Sequence, residues 1–198
     1  METVTWVVVA VAVLLAAAWY LSYSAARLDR LHAQVEGSLS ALDAHLVRRA
    51  EAALELANAG ALDPASALLL ASAASDALER TTDRLGDDDL LEGQHFGGRE
   101  SVESDLTQSL ALALTPDIVA DIVARDGLAA DALDRLEAAS RRVQLARRFH
   151  NNAVKDVQRV RGKTVVRVFR LAGHADLPQT VEFDDELPVL SAVAGPPS

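Results

Sequence analysis

Two double arginines and one asparagine pair are the residues whose types and spacing most favour specific polar chemistry. They are Arg48-Arg49, Arg147-Arg148 and Asn151-Asn152. A guanidinium group binds a carboxylate through two parallel hydrogen bonds, and an asparagine amide both donates and accepts. The first pair lies in one long helical pattern and the other two pairs lie in another, and we expect these two helices to pack together. We therefore predict one shared polar cluster, which either stabilises the fold or contacts a partner.

A second set of cations lies further along the chain. Residues 141–170 carry 10 basic side chains and one acidic side chain, whereas residues 25–140 carry 9 basic and 22 acidic ones. Towards the end of residues 141–170, basic residues alternate with valine, phenylalanine and leucine, a pattern typical of segments that touch anionic lipid. The candidate lipid-facing residues are Arg159, Arg161, Lys163, Arg167 and Arg170. Neutralisation of the neighbouring acidic helices is the simpler interpretation of these charges, and contact with lipid, nucleic acid or another partner is the alternative.

The sequence lacks the common catalytic motifs. It has no glycine-rich phosphate loop, no nucleophile elbow and no H-E-x-x-H zinc motif. Glu92 and His95 have metal-binding spacing, but they lie among glycines, and a di-iron bundle needs such a pair on each of two helices. We therefore expect a protein that is not an enzyme, with no cofactor, no metal and no small-molecule substrate.

Composition points to closely packed helices. Of 198 residues, 50% are hydrophobic but only 4% are aromatic, and cysteine is absent. A core of alanine, leucine and valine suits helices, and the absence of thiols excludes disulfides and cysteine-ligated metals. The net charge of −10 argues against a protein that coats nucleic acid, so no nucleic-acid partner is expected.

The N-terminal stretch has the pattern of a membrane anchor. No charged residue occurs between Thr3 and Ala26, and Val4 to Leu21 is almost wholly apolar. Eighteen helical residues span about 27 Å, close to the thickness of the bilayer hydrocarbon. Arg27 and Arg30 follow at once, which predicts an outside N-terminus and a cytoplasmic remainder. A cleaved signal peptide and a buried core helix are the alternatives.

Apolar residues spaced by three or four continue beyond the anchor. They predict a first helix that ends near Asn58-Ala59-Gly60, and a second from Asp63-Pro64 to Gly86. A third is predicted from Arg99 to Leu114, a short stretch from Thr115-Pro116 to Arg125, and a long last helix from Leu128. The fold class is therefore all-α: a single transmembrane helix followed by an antiparallel four-helix bundle with long first and last helices.

Three regions follow from this pattern. Residues 1–26 are the predicted anchor, residues 27–173 the bundle, and residues 174–198 an extended or disordered tail rich in proline. A mobile acidic loop is predicted at residues 86–98, where three aspartates and four glycines occur. The β-branched residues at 164–168 also permit a short strand.

Four stretches of the chain fit known motifs in order and spacing. Residues 146–154 are similar to an A-R-x-x-Y-N-x-x-V segment, and residues 133–143 to the stretch that leads into it. Residues 103–110 are similar to an E-N-x-L-S-x-x-L region, and residues 46–51 to L-x-R-R-x-D/E. Together these stretches resemble the LemA family. The resemblance covers roughly residues 21–186. Departures include His150 in place of the family's tyrosine and Val157-Gln158 in place of a Tyr-Asn pair.

This resemblance implies a membrane-anchored helical bundle with no established catalytic activity and no assigned cofactor. The expected function is a non-catalytic interaction or scaffolding module at the inner or plasma membrane, with membrane lipid and a protein partner or a second copy as its contacts. The alternative is a peripheral anionic-lipid-binding or envelope-stress element that uses the basic segment 159–170.

Overall fold

The computed structural model describes residues 2–86, 98–162 and 177–187, with the backbone alone for residues 81–86. These ranges contain five helices and no strand, so the predicted all-α class is confirmed for the described residues. The helices are α1 (Glu2–Asn58), α2 (Pro64–Gly86), α3 (Arg99–Ala113), α4 (Pro116–Arg125) and α5 (Leu128–Arg161). Residues 87–97 of the predicted acidic loop and the predicted strand at 164–168 lie outside the described residues.

The end of α1 and the start of α2 lie where the sequence predicts them. Asp63 Oδ1 accepts hydrogen bonds from the main-chain N–H groups of Ala65 (3.0 Å) and Ser66 (3.1 Å) at the start of α2. Hydrogen bonds lower the pKa of the Asp63 carboxyl group. The largest contribution comes from the Ser66 side chain, and the main-chain bonds add to it. Gly60 has a φ of +75°, a left-handed conformation that lets the chain turn sharply after α1.

The long helix α1 has two different halves. Its apolar N-terminal part has a mean hydropathy of 2.3 over an 18-residue window, none of which is buried by the rest of the protein. The first buried side chain is Leu28, and from there buried residues form a stripe along one side of the helix, which widens towards Ala57. One N-terminal helix is thus apolar enough to span a membrane, and it continues without a break into the helical core.

The core is built along an antiparallel pair of α1 and α5. Contacts between the two helices join residues whose numbers rise on one helix as they fall on the other, which defines the antiparallel direction. The pairs, from the N-terminal side of α1 onward, are Leu28 with Val160, Val35 with Val154, Ser38 with His150, Leu46 with Val143, and Glu55 with Arg135.

Helices α2, α3 and α4 surround the end of this pair that lies far from the apolar N-terminal half of α1. There, Ala53, Leu56, Leu70, Leu110 and Leu136 are fully buried in one cluster with many further alanines. Small side chains let the helix axes approach closely, as the alanine-rich composition predicts. Truncating a buried leucine in this cluster to alanine is expected to cost about 2–5 kcal/mol of stability.

An extended segment completes the core. Residues 177–187, which we call the C-terminal strap, have no regular secondary structure. Burial alternates along the strap, because Val181, Phe183, Asp185 and Leu187 are buried while the residues between them are exposed. This two-residue period is that of an extended chain with one face against a surface. The strap belongs to the stretch predicted as an extended or disordered tail, and it packs against the helices.

Candidate interaction site

The structure divides the predicted polar cluster into two sets. Three residues, Arg49, Arg147 and Asn151, are buried or half-buried and contact the strap or the helix beside it. Their sequence neighbours Arg48, Arg148 and Asn152 are exposed. Successive residues on a helix point about 100° apart, so only one residue of each pair faces the interior. The doublets are visible in the sequence, but the inward member is set by the apolar stripe of its helix.

Arg49 forms a fully buried ion pair with Glu103. Its Nη2 lies 2.6 Å from Glu103 Oε2, and neither side chain is accessible to solvent. The same guanidinium donates to the Glu103 carbonyl and to the hydroxyl of Thr107, each at 3.1 Å. Hydrogen bonds to Glu103 and Thr107 offset part of the cost of burying this pair, whereas Arg49 Nε is buried without a hydrogen-bond partner among the described residues. It joins the middle of α1 to α3.

A second arginine extends this network to the start of α3. Arg99 Nε lies 3.3 Å from the second carboxylate oxygen of Glu103, and Arg99 Nη1 donates to Asp43 at 2.9 Å. Glu103 therefore lies between two guanidinium groups, and Asp43 on α1 balances the second of them. The resemblance quoted for residues 103–110 includes this glutamate, but sequence spacing alone does not identify its partners.

Phe183 of the strap lies against both inward arginines. The guanidinium carbon of Arg49 is 5.9 Å from the centre of the ring, and that of Arg147 is 5.4 Å away. Both distances fall in the range of cation–π attraction. Arg147 also binds the Asp185 carboxylate with two hydrogen bonds, of 2.7 Å from Nε and 2.9 Å from Nη2. The double arginines therefore meet through an aromatic residue of the tail.

Asn151 holds the main chain of the strap. Its Nδ2 donates to the Val181 carbonyl at 3.0 Å, and its Oδ1 accepts from the Val181 N–H at 2.9 Å. An amide bound in this way replaces the partner strand that an extended chain would otherwise need. Asn151 is therefore a main-chain clamp.

Further helix side chains bind the strap main chain, and sequence reasoning did not identify them. On α5, Gln144 donates to the Asp185 carbonyl at 2.7 Å and Gln158 to the Pro178 carbonyl at 2.9 Å. On α3, the contacts are Glu100 with the Glu182 N–H (2.7 Å), Ser104 with the Asp184 N–H (3.1 Å) and Thr107 with the Asp184 carbonyl (2.7 Å). The polar residues of α3 share one helix face at positions 100, 104 and 107, which is the available sequence signal.

His150 is buried beside the clamp. Its Nδ1 lies 3.0 Å from the hydroxyl of Ser38, which donates in turn to the Val35 carbonyl at 2.8 Å. Burial lowers the pKa of His150, although main-chain hydrogen bonds with Val35 and Gln179 act in the opposite direction. Packing against Ser38 and the main chain is thus the role that the structure gives to His150.

Only part of the predicted lipid-facing segment is described. Arg159 is exposed and pairs with Asp156 at 3.1 Å, and Arg161 is half-buried at the end of α5. Val160 between them packs against Leu28, so both arginines lie beside the point where α1 leaves the core. Lys163, Arg167 and Arg170 lie outside the described residues.

The described residues contain no candidate metal site. Within residues 2–86, 98–162 and 177–187, no three histidine, aspartate or glutamate side chains are grouped so that they could hold a metal ion. No family model, no curated protein and no solved structure matches the chain.

Proposed function

We propose that this chain is a LemA-type, membrane-anchored helical-bundle protein that acts as a non-catalytic interaction or scaffolding module. Its anchor crosses the inner or plasma membrane once, with the N-terminus outside and an antiparallel bundle of α1, α2, α3 and α5 in the cytoplasm. The continuity of α1 carries this proposal. One 57-residue helix has an exposed apolar N-terminal half and a C-terminal half buried in the core.

Physical reasons support an anchor over a buried helix. A stretch of 18 apolar residues with none of its surface covered would be costly in water, since each fully exposed large apolar side chain forgoes about 1.5–3 kcal/mol of burial. Trp6 and Trp19 lie near the two ends of the stretch, where aromatic rings favour the interfaces of a bilayer. Arg27 and Arg30 follow on the side of the bundle, which favours a cytoplasmic location for it.

The surface of α5 supports an interaction role. Leu145 and Phe149 are 54% and 62% exposed and lie one helical turn apart. Arg148 and Asn152, the outward members of their doublets, share this exposed surface. Adjacent exposed leucine and phenylalanine side chains rimmed by polar groups have the composition of a small contact surface.

Cysteine accessibility in intact cells tests the orientation, because the native chain has no cysteine. Thr3→Cys and Ala111→Cys place one thiol at each side of the membrane, at positions that are both exposed. A membrane-impermeant maleimide is expected to label only Thr3→Cys in intact cells, and both variants after permeabilisation. Labelling of Ala111→Cys in intact cells would contradict the cytoplasmic bundle. Release of the protein from membranes by alkaline carbonate would contradict the anchor.

A second function, binding of anionic lipid headgroups, is favoured by one observation. The antiparallel pairing of α5 with α1 brings Arg159 and Arg161 to the end of the core next to Leu28, beside Arg27 and Arg30. In an anchored protein this end would face the membrane surface, where each arginine contributes about 1 kcal/mol of attraction to anionic lipid.

Vesicle sedimentation of the fragment 28–198, once circular dichroism shows that it folds, tests this second function. Arg159→Gln with Arg161→Gln should weaken sedimentation with anionic vesicles by about 30-fold, given about 1 kcal/mol for each charge. Arg141→Gln with Arg142→Gln, two exposed positions nearer the start of α5 and therefore farther from Leu28, removes the same charge and should have a much smaller effect. Equal effects of the two pairs would contradict a membrane-facing site.

A further inference from the structure

The C-terminal strap lies in a groove formed by α3 and α5, with α1 at its floor. Helix side chains bind its main chain at Pro178, Val181, Glu182, Asp184 and Asp185. These bonds depend on an extended main chain and not on the side chains of the strap. The groove therefore provides the hydrogen bonds that a neighbouring strand would provide in a sheet.

The buried side chains, at every second position of the strap, indicate which peptide sequences the groove accepts. Val181 and Phe183 pack with Leu42, Leu46 and Val143 in one apolar cluster. Two positions after the aromatic ring, Asp185 is 3% exposed and is held by Arg147. The groove thus accepts an apolar residue, an aromatic residue and an aspartate at alternate positions, and leaves the intervening residues in solvent.

The native sequence of the strap does not match the charge of this groove at its exposed positions. Glu182, Asp184 and Glu186 point outward, and the carboxylate of Glu100 on α3 lies at the Glu182 N–H. The Glu182 carboxylate accepts a hydrogen bond from Asn151 Nδ2 at 3.2 Å and a longer one from Arg147 Nη1 at 3.4 Å. Glutamine at this position keeps an oxygen that can accept the Asn151 bond and removes the repulsion from Glu100, so uncharged amide side chains at the outward positions would bind the same groove more strongly.

We propose that this groove is a peptide-binding site, and that the strap is its resident occupant in cis. The ligand in trans is an extended segment of a separate protein that keeps the Val-x-Phe-x-Asp spacing and has uncharged residues at the intervening positions. This inference rests on the proposed function as an interaction module and names the chemistry of its partner. A tethered occupant competes at an effective concentration on the order of millimolar, so the partner binds once the strap is weakened or displaced.

The test uses the full chain in detergent and two labelled synthetic peptides, with fluorescence anisotropy as the readout. One peptide has the native sequence of residues 177–187, and the other replaces Glu182, Asp184 and Glu186 with Gln, Asn and Gln. The receiving protein carries Phe183→Ala with Asp185→Ala, which weakens the strap and leaves the groove side chains unchanged. If this variant does not fold, Phe183→Ala alone takes its place.

The expected result is binding of both peptides to the strap-weakened chain, with the uncharged peptide roughly fivefold tighter, and at least about tenfold weaker binding to the wild type. Adding Asn151→Ala to the strap-weakened chain should abolish binding, and adding Asn152→Ala at the exposed neighbour should not. Three results would overturn the proposal: no binding to the folded strap-weakened chain, binding unaffected by Asn151→Ala, or a wild-type chain that sediments as a dimer with exchanged straps. None of these results depends on membrane orientation, which the cysteine labelling tests separately.

Discussion

The side-chain amide of Asn151 forms two hydrogen bonds with the main chain of Val181, of 3.0 Å from Nδ2 to the carbonyl and 2.9 Å from the N–H to Oδ1. Two groups thirty residues apart in sequence are thereby held in one register. Both residues are buried, so water cannot replace either bond. The chain after the last helix is in this way joined to the helical core.

Removal of this clamp is expected to destabilise the protein. Asn151→Ala leaves the buried N–H and C=O of Val181 without partners, and should lower the free energy of unfolding by about 1–3 kcal/mol in urea denaturation. Asn152→Ala changes the exposed neighbour on the same helix and should stay within about 0.5 kcal/mol of the wild type. Equal losses for the two variants would contradict the clamp.

The buried ion pair gives a second matched comparison. Arg49→Ala leaves the buried Glu103 carboxylate with Arg99 at 3.3 Å as its remaining ion-pair partner, and should cost up to about 3–5 kcal/mol of stability by the same measurement. Arg48→Ala, at the exposed neighbour, should cost less than about 0.5 kcal/mol.

The double replacement Arg49→Met with Glu103→Met removes both charges at once. It should be less destabilising than Arg49→Ala, because no buried carboxylate is left without its close partner, and Arg99, which loses its bond to Glu103, keeps its ion pair with Asp43. A double variant that loses more stability than the single one would indicate that Arg49 acts through contacts other than the pair with Glu103.

Arg147 is expected to control how firmly the strap is held. Arg147→Ala removes two charge-assisted hydrogen bonds to Asp185 and the contact with Phe183, worth about 1.5–3 kcal/mol. Limited proteolysis followed by mass spectrometry should then show cleavage within residues 177–187 about tenfold faster or more. Arg148→Ala should leave the cleavage rate unchanged, and faster cleavage in that variant would contradict the assignment.

The helices were largely predictable from the sequence, and the partners of the polar residues were not. Local sequence determines these helix ends: Asp63 caps α2, Pro116 begins α4 without a side-chain capping bond from Thr115, and Gly60 and Gly127 adopt positive φ angles next to helix ends. The pairing of Arg49 with Glu103 depends on how α1 and α3 pack, over a separation of 54 residues. Local pattern contains no information on that packing.

The packing of the strap against the helices was the part of the fold that was hardest to predict from the sequence. Prolines and acidic residues after residue 174 favour an extended chain, and the described part of that chain has no helix or strand. The alternation of Val181, Phe183, Asp185 and Leu187 has the period of a half-buried strand, but its third member is charged. Only the position of Arg147 on the neighbouring helix explains why that aspartate is buried.

Stability is expected to fall in mild acid because of His150. Burial holds the pKa of its folded form below the ordinary value of about 6.5, so the unfolded chain binds a proton first as the pH falls. The stabilising contribution is thus present above pH 6.5 and is lost below it. His45 acts in the same direction, since burial first and then Arg48 and Arg142 lower its pKa.

Thermal unfolding at pH 7.5 and pH 5.5 measures this effect. The melting temperature should fall further between pH 7.5 and pH 5.5 in the wild type than in His150→Gln, because the variant has no group that takes up a proton at this position. His45→Gln serves as the comparison at the more accessible histidine and should change the difference less. An identical pH response in the wild type and His150→Gln would contradict a contribution from His150.

Hydrogen exchange at the Val181 N–H tests most directly whether the chain after α5 is held in the groove. In the wild type this amide should exchange at least about tenfold more slowly than in an unstructured peptide, which corresponds to about 1.4 kcal/mol of opening free energy. In Asn151→Ala the protection of Val181 should be lost while the amides in the middle of α5 keep theirs. Exchange of the Val181 amide at the unstructured rate in the wild type would contradict the account.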